Sequence, residues 1–407
     1  MRIYLRYSTL ALLLMWQLPV QGSPRDQLFD LIDARLELMD EVAAYKWDHE
    51  LAIEDTAREQ VVLDKAAEDA LNANLDPITS RLFFETQIEA AKEIQRYWFS
   101  QYESGQEKPE ARDLNKEVRP ELLRLGNEIL IAMSANQRLV EASSFEFTER
   151  VNVVGLNPET RDALFTHLLA VKHFPDALTR IMQTGKLRVG TTGDYAPFSW
   201  KTGDQWEGID IEMARDLATS LGVSLVLVQT TWPTLIADLD RGAYDIGMSG
   251  ISINTERAMH GYYSVPYHTG GKTPIARCED QNQFNSLEKI DQPSVRVIVN
   301  PGGTNNRFAT DHIKQANITV FPDNRTVFDE IAEGRADVMI TDAIEVKLVS
   351  ENNDALCPTM PGQTFTQSQK AYLMPPDEGL KEYVNTWLSL RILEGSYQNI
   401  FDAAFNY

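Results

Sequence analysis

Hydrophobic residues in the first part of the chain recur at steps of three and four positions, which is the spacing of an amphipathic helix. The first such stripe predicts one long helix and is formed by Leu28, Leu31, Ile32, Leu38, Val42 and Tyr45. Similar patterns predict a helix from about Glu54, a third that opens at Asp76-Pro77, where a capping residue precedes a proline, and a fourth over 114–134. Strand patterns are almost absent before residue 173. The pattern therefore predicts an all-α domain.

After residue 173 the pattern changes to short apolar runs that alternate with helical segments. Strands are predicted at 187–190, 225–228, 244–248, 295–299, 318–321 and 338–340. This alternation is typical of parallel sheets. The sequence therefore predicts a multidomain protein, in which the all-α domain is followed by an α/β domain of two lobes. We place the first lobe at about 185–271 together with 366–407, and the second at about 272–365.

The first 22 residues differ from the rest of the chain. Arg2 and Arg6 precede an apolar run from Leu10 to Trp16, and a small residue, Gly22, ends the segment. These are the parts of a secretory signal peptide, which we expect to be cleaved after Gly22. A membrane anchor is the alternative, but the apolar run is too short to span a bilayer. The predicted organisation is a signal peptide at 1–22, an all-α domain at 23–172 and an α/β domain at 173–407.

The charge balance limits the possible partners. The chain has 38 basic and 60 acidic residues, a net charge of −22, which becomes about −24 when Arg2 and Arg6 leave with the signal peptide. Such a surface argues against nucleic acid or an anionic membrane as a partner. If the ligand is an anion, the basic residues must be gathered in pockets. Nothing in the sequence indicates a cofactor or a metal.

The chain has two cysteines, Cys278 and Cys357. In an exported protein we expect them to form a disulfide that pins the ends of the second lobe together. The bridge would close a loop of about 80 residues and contribute roughly 4 kcal/mol through the entropy of the unfolded chain. Two buried free thiols are the alternative.

Groups suited to anion binding follow two predicted strands of the α/β domain. After 244–248, Ser252 offers a hydroxyl and Arg257 a planar fork that fits a carboxylate. Thr304 and Asn305 come after a glycine pair at the start of a helix, where backbone N–H groups can hold a second carboxylate. Because ligands of such folds bind between lobes, we expect these groups to face one cleft. A solvated arginine and an ordinary glycine turn are the alternatives.

Five short sequence segments of this domain resemble those of a known protein family. They are Thr192-Gly193-Asp194-Tyr195, Met248 to Arg257, Gly271-Lys272-Thr273-Pro274, Asn300 to Asn305 and Thr341 to Glu345. In this order they resemble the periplasmic cyclohexadienyl dehydratases, which have the two-lobed fold of amino-acid-binding solute-binding proteins and act on prephenate or arogenate. The resemblance implies that Glu345 is the general acid with Lys272 beside it. It also implies substrate contacts from Asp194, Ser252, Arg257, Thr304, Asn305 and Asp342.

The resemblance also bears on Asp342, and Glu345 has a physical argument of its own. In amino-acid-binding proteins of this fold that are not enzymes, an aspartate at the position of Asp342 binds the ammonium group of the ligand. Glu345 has no such role in them. Close to bound carboxylates and poorly solvated, Glu345 is expected to have a raised pKa and to stay protonated. A solvated glutamate at the start of a helix is the alternative.

The first domain also has basic residues where apolar ones are expected. Arg35 and Lys46 interrupt the apolar face of the first helix and stand 11 residues apart, about three turns, so both fall on nearly the same side. Buried cations are costly unless an anion meets them. Together with Asp55, Arg58, Glu59 and Gln95 they resemble the secreted, all-helical class of chorismate mutases. A helical bundle with surface ion pairs is the alternative.

The mutase resemblance assigns a role to each residue. Arg35 and Arg58 would hold carboxylates, Lys46 and Gln95 would meet the ether oxygen, and Asp55 and Glu59 would face the ring hydroxyl. Two positions depart from the family. Ala91 replaces a hydroxyl residue one turn before Gln95, and Glu128 stands where an arginine would complete the carboxylate pocket. We expect Arg124, one turn earlier, to supply that arginine.

The two resemblances predict a bifunctional enzyme of phenylalanine synthesis that takes chorismate through prephenate to phenylpyruvate. The alternative is a solute-binding protein for a transporter or sensor, fused to a mutase-like helical domain. Glu345 and Lys272 distinguish the two, because a binding protein needs neither. A third interpretation, based on Glu128, is an inactive mutase domain with only the dehydratase active. The predicted partners are small anionic substrates, without nucleic acid and without a membrane span after signal removal, and a homo-oligomer is compatible with both families.

Overall fold

The structure is a computed structural model that describes residues 23–136 and 142–405; the predicted signal peptide lies outside the described residues. The described chain forms two compact units. One comprises the described residues up to Asp69 together with Pro77–Lys172. The other comprises Ala70–Asp76 together with the described residues from His173 onward.

The first unit is built from helices, as predicted. They are α1 (Pro24–Glu37), α2 (Met39–Asp48), α3 (Thr56–Asn72), α4 (Pro77–Glu103), α5 (Arg119–Ala135), α6 (Ser144–Arg150) and α7 (Pro158–Leu169). A π-helical turn, Leu114–Val118, leads into α5. The single long helix predicted at the start is two helices, because Leu38 separates α1 from α2. The predicted stripe still faces inward, with Leu28, Ile32 and Val42 buried.

The second unit begins with its first lobe. In chain order this contains α8 (Ala177–Thr184), β1 (Lys186–Thr191), β2 (Asp194–Tyr195), β3 (Ser199–Thr202), β4 (Gln205–Glu207), α9 (Ile209–Leu221), β5 (Ser224–Gln229), α10 (Leu235–Asp240), β6 (Ile246–Gly247) and β7 (Tyr262–Tyr263). The chain then crosses to the second lobe through β8 (His268–Gly270).

The second lobe is followed by a return crossing. Its elements are β9 (Lys272–Arg277), α11 (Leu287–Ile290), β10 (Arg296–Val299), α12 (Thr304–His312), β11 (Asn317–Val320), α13 (Val327–Ala332), β12 (Val338–Asp342), α14 (Ala343–Asn352) and β13 (Leu356–Pro358). The chain crosses back through β14 (Ser368–Lys370) and completes the first lobe with β15 (Leu373–Met374), α15 (Glu378–Leu393) and α16 (Ser396–Ala403).

Each lobe has a mixed five-stranded sheet. The strand order is β5-β1-β6-β15-β7 in the first and β11-β10-β12-β9-β13 in the second. The strands predicted from apolar runs pair in parallel, whereas β9, β13 and β15 pair antiparallel with their neighbours. The crossing strands β8 and β14 pair with each other between the two lobes. Cys278 and Cys357 are disulfide-bonded, joining the ends of β9 and β13.

None of the helices within 23–136 and 142–405 combines the length and the apolar character needed to cross a membrane.

A buried ion cluster supports the first-lobe sheet next to β6. Asp245 Oδ1 accepts hydrogen bonds from Arg180 Nη2 at 2.5 Å and from Arg188 Nη2 at 2.6 Å, and its Oδ2 accepts from the Arg188 backbone N–H at 2.8 Å. Arg188 Nη1 also donates to Asn72 Oδ1 at 2.6 Å. Both guanidinium groups depend on one carboxylate, so its removal would leave buried charges unpaired.

We therefore expect Asp245→Asn to lower the free energy of unfolding by about 3 kcal/mol or more. The control is Glu378→Gln, which removes an exposed ion pair with Lys381 (3.4 Å) and should cost about 1 kcal/mol or less. Urea unfolding followed by circular dichroism measures both. Equal, small effects of the two substitutions would contradict the assigned importance of the cluster.

Two candidate active sites

The first unit contains a pocket with about 140 Å³ of free space. All six residues predicted from the mutase resemblance line it: Arg35, Lys46, Asp55, Arg58, Glu59 and Gln95. They come from α1, α2, α4 and the start of α3. Four separate segments therefore converge on one cavity that is rich in cations.

Arg35 is the most deeply buried cation of this pocket. Its Nη1 donates to Gln87 Oε1 at 2.6 Å, and its guanidinium carbon lies 5.7 Å from the centre of the Phe84 ring. Its Nε is buried without a hydrogen-bond partner among the described residues. Burial lowers the pKa of Arg35 to about 10, so the group remains charged at neutral pH. An unpaired donor on a buried cation is suited to an incoming anion.

Lys46 and Gln95 approach the cavity from α2 and α4. Lys46 Nζ donates to the Ile53 carbonyl at 2.7 Å, and among the described residues this leaves two of its three N–H groups for a ligand. Burial lowers the pKa of Lys46, and Asp55 partly offsets this. Gln95 Nε2 donates to the Ala91 carbonyl at 3.0 Å, and Gln95 Oε1 is buried without a partner in the described chain.

Asp55 and Glu59 also organise the start of α3, which the sequence did not indicate. Asp55 Oδ1 accepts from the Arg58 backbone N–H at 3.0 Å, and Glu59 Oε1 accepts from the Asp55 backbone N–H at 3.3 Å. This reciprocal arrangement resembles a capping box, with Glu59 one position later than the glutamate of that motif. It fixes the first turn of the helix and with it the position of Arg58. Glu59 Oε2 further accepts from Lys92 Nζ at 3.3 Å.

The expectation for Arg124 is not met. Arg124 is half exposed, is ion-paired with Glu121 at 2.6 Å and with Glu128 at 2.5 Å, and is not among the residues that line the pocket. Arg119 lines it instead, with its Nη2 3.6 Å from Asp55 Oδ2. Arg124 is held away because acidic residues three before and four after it lie on its own side of α5. Arg119, the first residue of α5, has no such pattern in the sequence.

The second site is the cleft between the two lobes of the second unit. Ser252 and Arg257 line it from the first lobe, and Thr304, Asn305 and Asp342 line it from the second, as predicted. The free space is about 20 Å³. That is enough for a water molecule or two, so the lobes are closed.

One end of the cleft has the groups that suit a carboxylate. Arg257 is buried, its Nη1 donates to the Ser252 carbonyl at 3.0 Å, and its guanidinium lies 5.9 Å from the centre of the Trp232 ring. Burial lowers its pKa from the usual arginine value. The first turn of α12, with Thr304 and Asn305, faces it from the other lobe. A side chain at Gly302 would lie 2.9 Å from the Pro233 backbone, so only glycine allows this close approach.

Asp342 lies at the centre of the second site between two ammonium groups. Lys272 Nζ is 2.9 Å from its Oδ1 and Lys370 Nζ is 2.7 Å from its Oδ2. Tyr195 OH donates to the same Oδ2 at 2.5 Å. Burial alone would raise the pKa of Asp342, but the two lysines outweigh it and hold the pKa far below the usual range. Lys370 was not predicted, because a single lysine before an apolar run has no distinctive pattern.

Glu345 stands in the first turn of α14, directly after Asp342. Its carboxyl is buried and accepts a hydrogen bond from Thr341 Oγ1. Burial raises the pKa of Glu345 to about 7; the charge of Asp342 adds to this rise, while Thr341 and the two lysines oppose it. The expected raised pKa is therefore found, and its largest cause is desolvation.

Glu345 and Lys272 stand just behind the cleft lining in this closed form. Lys272 Nζ donates to Asn305 Oδ1, and Asn305 Nδ2 donates to Thr341 Oγ1 at 2.9 Å. Thr341 in turn donates to Glu345. A continuous chain of hydrogen bonds thus connects the lining residue Asn305 to the buried acid.

Asp194 has a supporting position outside the lining. Its Oδ1 accepts from Trp232 Nε1 at 3.1 Å, and its carbonyl accepts from Asn324 Nδ2 of the second lobe at 2.8 Å. Arg325, also of the second lobe, donates to the Gly193 carbonyl at 3.3 Å. We call Asn324 and Arg325 the latch, because they join the lobes on this side of the cleft.

Metal ligands are a separate question. Within the described ranges, no group of three or more His, Cys, Asp or Glu side chains is arranged to hold a metal ion.

Comparison with known proteins assigns a family to each unit. Residues 187–407 match the bacterial extracellular solute-binding proteins, family 3, and residues 26–96 match chorismate mutase type II. Cyclohexadienyl dehydratase of Pseudomonas aeruginosa is 51% identical over 214 residues, which are 52% of this chain and 80% of that protein.

Two further relatives complete the comparison. A monofunctional chorismate mutase of Enterobacter agglomerans is 34% identical over 147 residues, which are 35% of this chain and 71% of that protein. The crystal structure of the ancestral amino acid-binding protein AncCDT-1, a precursor of cyclohexadienyl dehydratase, matches with a TM-score of 0.53 and 35% identity. That match covers 56% of this chain and 99% of the ancestral protein.

Proposed function

The chain belongs to family 3 of the bacterial extracellular solute-binding proteins and carries a chorismate mutase type II domain ahead of it in the sequence, and from this premise we propose that it is a bifunctional enzyme of phenylalanine synthesis. The mutase, assigned to residues 23–172, converts chorismate to prephenate. The dehydratase, assigned to residues 173–407, converts prephenate to phenylpyruvate or arogenate to phenylalanine. The observation that carries the proposal is Glu345, a buried acid that is protonated below about pH 7 beside an anion-binding cleft.

The mutase reaction breaks one C–O bond and forms one C–C bond within a single molecule, with no nucleophile and no proton transfer. The protein can accelerate it by holding the compact conformer and by stabilising negative charge on the breaking ether oxygen. In our assignment Lys46 and Gln95 meet that oxygen. The carboxylates bind to Arg35, Arg58 and Arg119, and the ring hydroxyl faces Asp55 and Glu59.

The dehydratase reaction removes the ring hydroxyl as water and the ring carboxylate as CO2, and the ring becomes aromatic. Conversion of the prephenate dianion to the phenylpyruvate anion consumes one proton, which the leaving hydroxyl must receive. Glu345 is assigned as the donor, with Lys272 beside it and the Asn305–Thr341 hydrogen bonds connecting it to the cleft. Arg257 and the first turn of α12 bind the carboxylates. The role requires that Glu345 face the substrate once the lobes have admitted it.

For the mutase, we expect Lys46→Ala to lower the rate of chorismate conversion about a hundredfold or more, because the cation at the ether oxygen is lost, a change of roughly 3 kcal/mol. Turnover of added prephenate should not change. Both rates are measured on one preparation, by the absorbance of chorismate and by the formation of phenylpyruvate. Equal losses of both activities would contradict two separate sites.

A matched pair of arginines on α5 tests the pocket assignment in the same assay. Arg119→Ala should raise the KM for chorismate strongly, since Arg119 lines the pocket. Arg124→Ala should leave it unchanged, since Arg124 is paired with Glu121 and Glu128. The reverse result would place the carboxylate elsewhere.

For the dehydratase, we expect Glu345→Gln to reduce prephenate turnover by roughly 10²–10⁴, because glutamine keeps the shape of the side chain but has no acidic proton to give. Binding of prephenate should persist. In the wild type, kcat/KM should fall as the pH rises through about 7, since only the protonated form of Glu345 can act. Steady-state kinetics across the pH range measure both effects.

The control for this experiment is Glu351→Gln on the exposed face of the same helix, where Glu351 lies 4.0 Å from Lys347. It should leave the turnover and the pH profile unchanged. Normal turnover by Glu345→Gln would mean that another group is the acid. Tight binding of amino acids by the wild type, with prephenate left intact, would favour a transport protein.

The family also bears on where the enzyme works, because its members are extracellular solute-binding proteins. We propose that the chain is exported to the periplasm by a cleaved signal peptide at 1–22. The intact mass of the protein recovered from the periplasm of a Gram-negative host should correspond to a chain that begins near Ser23 with Cys278 and Cys357 bridged. An uncut chain or two free thiols would refute this.

A further inference from the structure

Gln87 is a polar side chain on the buried face of α4 that the mutase assignment leaves without a role. Its exposed fraction is 0%, and the residues buried along the same face are mostly apolar: Phe83, Phe84, Ala90 and Ile94. A buried amide is costly unless it is hydrogen-bonded. Among the described residues its side chain makes one hydrogen bond, in which Oε1 accepts from Arg35 Nη1 at 2.6 Å. Its Nε2 is buried without a partner in the described chain.

Two contacts from one turn of α4 fix the guanidinium of Arg35. Phe84 and Gln87 are three residues apart and therefore lie on the same side of that helix. The Phe84 ring centre is 5.7 Å from the guanidinium carbon, and the Gln87 oxygen accepts one of the guanidinium hydrogens. Because an arginine side chain has many rotamers, these contacts restrict it to an orientation that it would otherwise hold only part of the time.

The charge of Arg35 has no carboxylate partner among the described residues, unlike that of three other cations of the pocket. Those three form ion pairs, which are Arg119 with Asp55 at 3.6 Å, Lys92 with Glu59 at 3.3 Å, and Lys65 with Asp69. Burial lowers the pKa of Arg35, and no acid offsets that effect. The last turn of α1, in which Arg35 stands, favours a cation only weakly through the helix dipole. The positive charge of Arg35 is therefore left for a ligand to neutralise.

The choice of an amide at position 87 has a consequence for binding. A glutamate would have nearly the same size and shape, and the unpartnered Nε2 of Gln87 shows that no group in the described chain requires a donor there. A carboxylate would also bind Arg35 more strongly, since hydrogen bonds between charged groups are the stronger ones. It would, however, neutralise the cation. The amide orients Arg35 and leaves its charge intact.

We propose that Gln87 is a positioning residue of the mutase, which orients Arg35 through an uncharged hydrogen bond and so keeps the positive charge available to a carboxylate of the substrate. The inference rests on the proposed mutase function and adds to it a residue that lies outside the pocket lining. The partner that would stabilise the fold most is then not the partner that serves the reaction.

Gln87→Glu is the central test, because it should change stability and binding in opposite senses. We expect the midpoint of thermal unfolding to rise by about 2 °C or more, since Arg35 gains an acidic partner. The KM for chorismate should rise at least roughly tenfold, since that partner competes with the substrate. The kcat should change much less, because the reaction leaves the carboxylates unaltered. Steady-state kinetics with chorismate and differential scanning calorimetry of the whole chain measure these quantities.

Gln87→Met separates orientation from charge, since methionine has a similar length and no strong acceptor. It should also raise the KM for chorismate, but it should lower the unfolding midpoint, because a buried donor of Arg35 loses its partner. Added to Arg35→Ala, the same substitution should raise the KM no further, since Gln87 acts only through Arg35.

Gln60→Glu is the matched control. Gln60 lies on the exposed face of α3, where its Oε1 also accepts from an arginine, Arg81 Nη2 at 3.3 Å. This substitution should leave the KM for chorismate unchanged.

The inference is overturned if Gln87→Glu has the wild-type KM, or if its KM rises while its unfolding midpoint falls. A residue that only fills the core would move the two together. If circular dichroism shows that Gln87→Met does not fold, the comparison of Gln87→Glu with Gln60→Glu decides. No conversion of chorismate by the wild type would instead refute the mutase function itself.

Discussion

The second site depends on one electrostatic arrangement, the carboxylate of Asp342 held between the ammonium groups of Lys272 and Lys370. Three buried charges are tolerated there because each touches an opposite one at hydrogen-bond distance. The arrangement joins Lys272 and Asp342 of the second lobe to Lys370 of a crossing strand, and it leaves the cleft with a surplus of positive charge. The same short stretch of chain, where β12 becomes α14, also places Glu345 beside this cluster. Burial outweighs the nearby cations, so the pKa of Glu345 stays raised, at about 7, next to groups that attract anions.

The mutase pocket serves a reaction with different physical requirements. Its reaction needs no proton donor, and the structure accordingly offers cations on rigid helices with donors left open, such as Arg35 Nε and the free N–H groups of Lys46. The carboxylates Asp55 and Glu59 cap α3 and so also serve the geometry of the helix start. One chain thus shows two ways of using buried charge. In the first site, fixed cations with open donors are available to bind a substrate. In the second site, the cations are already paired and influence the pKa of the acid.

The predicted fold class and the predicted pair of activities are confirmed by the family matches and by the relatives of each half. The sequence indicated Arg35 and Lys46 because a basic residue that interrupts an apolar helical stripe is a local signal, whereas Gln95 was indicated by the mutase resemblance alone. It missed Arg119 and Lys370, whose positions are set by packing between segments far apart in the chain. It misplaced Arg124, which the acidic neighbours Glu121 and Glu128 hold in ion pairs on the exposed side of α5. The antiparallel strands β9, β13 and β15 were not predicted, because Pro274 interrupts the apolar run of β9 and because β13 and β15 are only three and two residues long.

The latch affects the rate of the catalytic cycle. With Asn324 and Arg325 bound to the first lobe, the space between the lobes holds no more than a water molecule or two, so neither a substrate nor an aromatic product can pass. Every catalytic cycle must therefore include one release and one re-formation of these contacts. The opening and closing by which a transport protein binds and releases its ligand becomes a step of the kinetic scheme, and the rate of lobe opening sets a ceiling on kcat however fast the chemistry is.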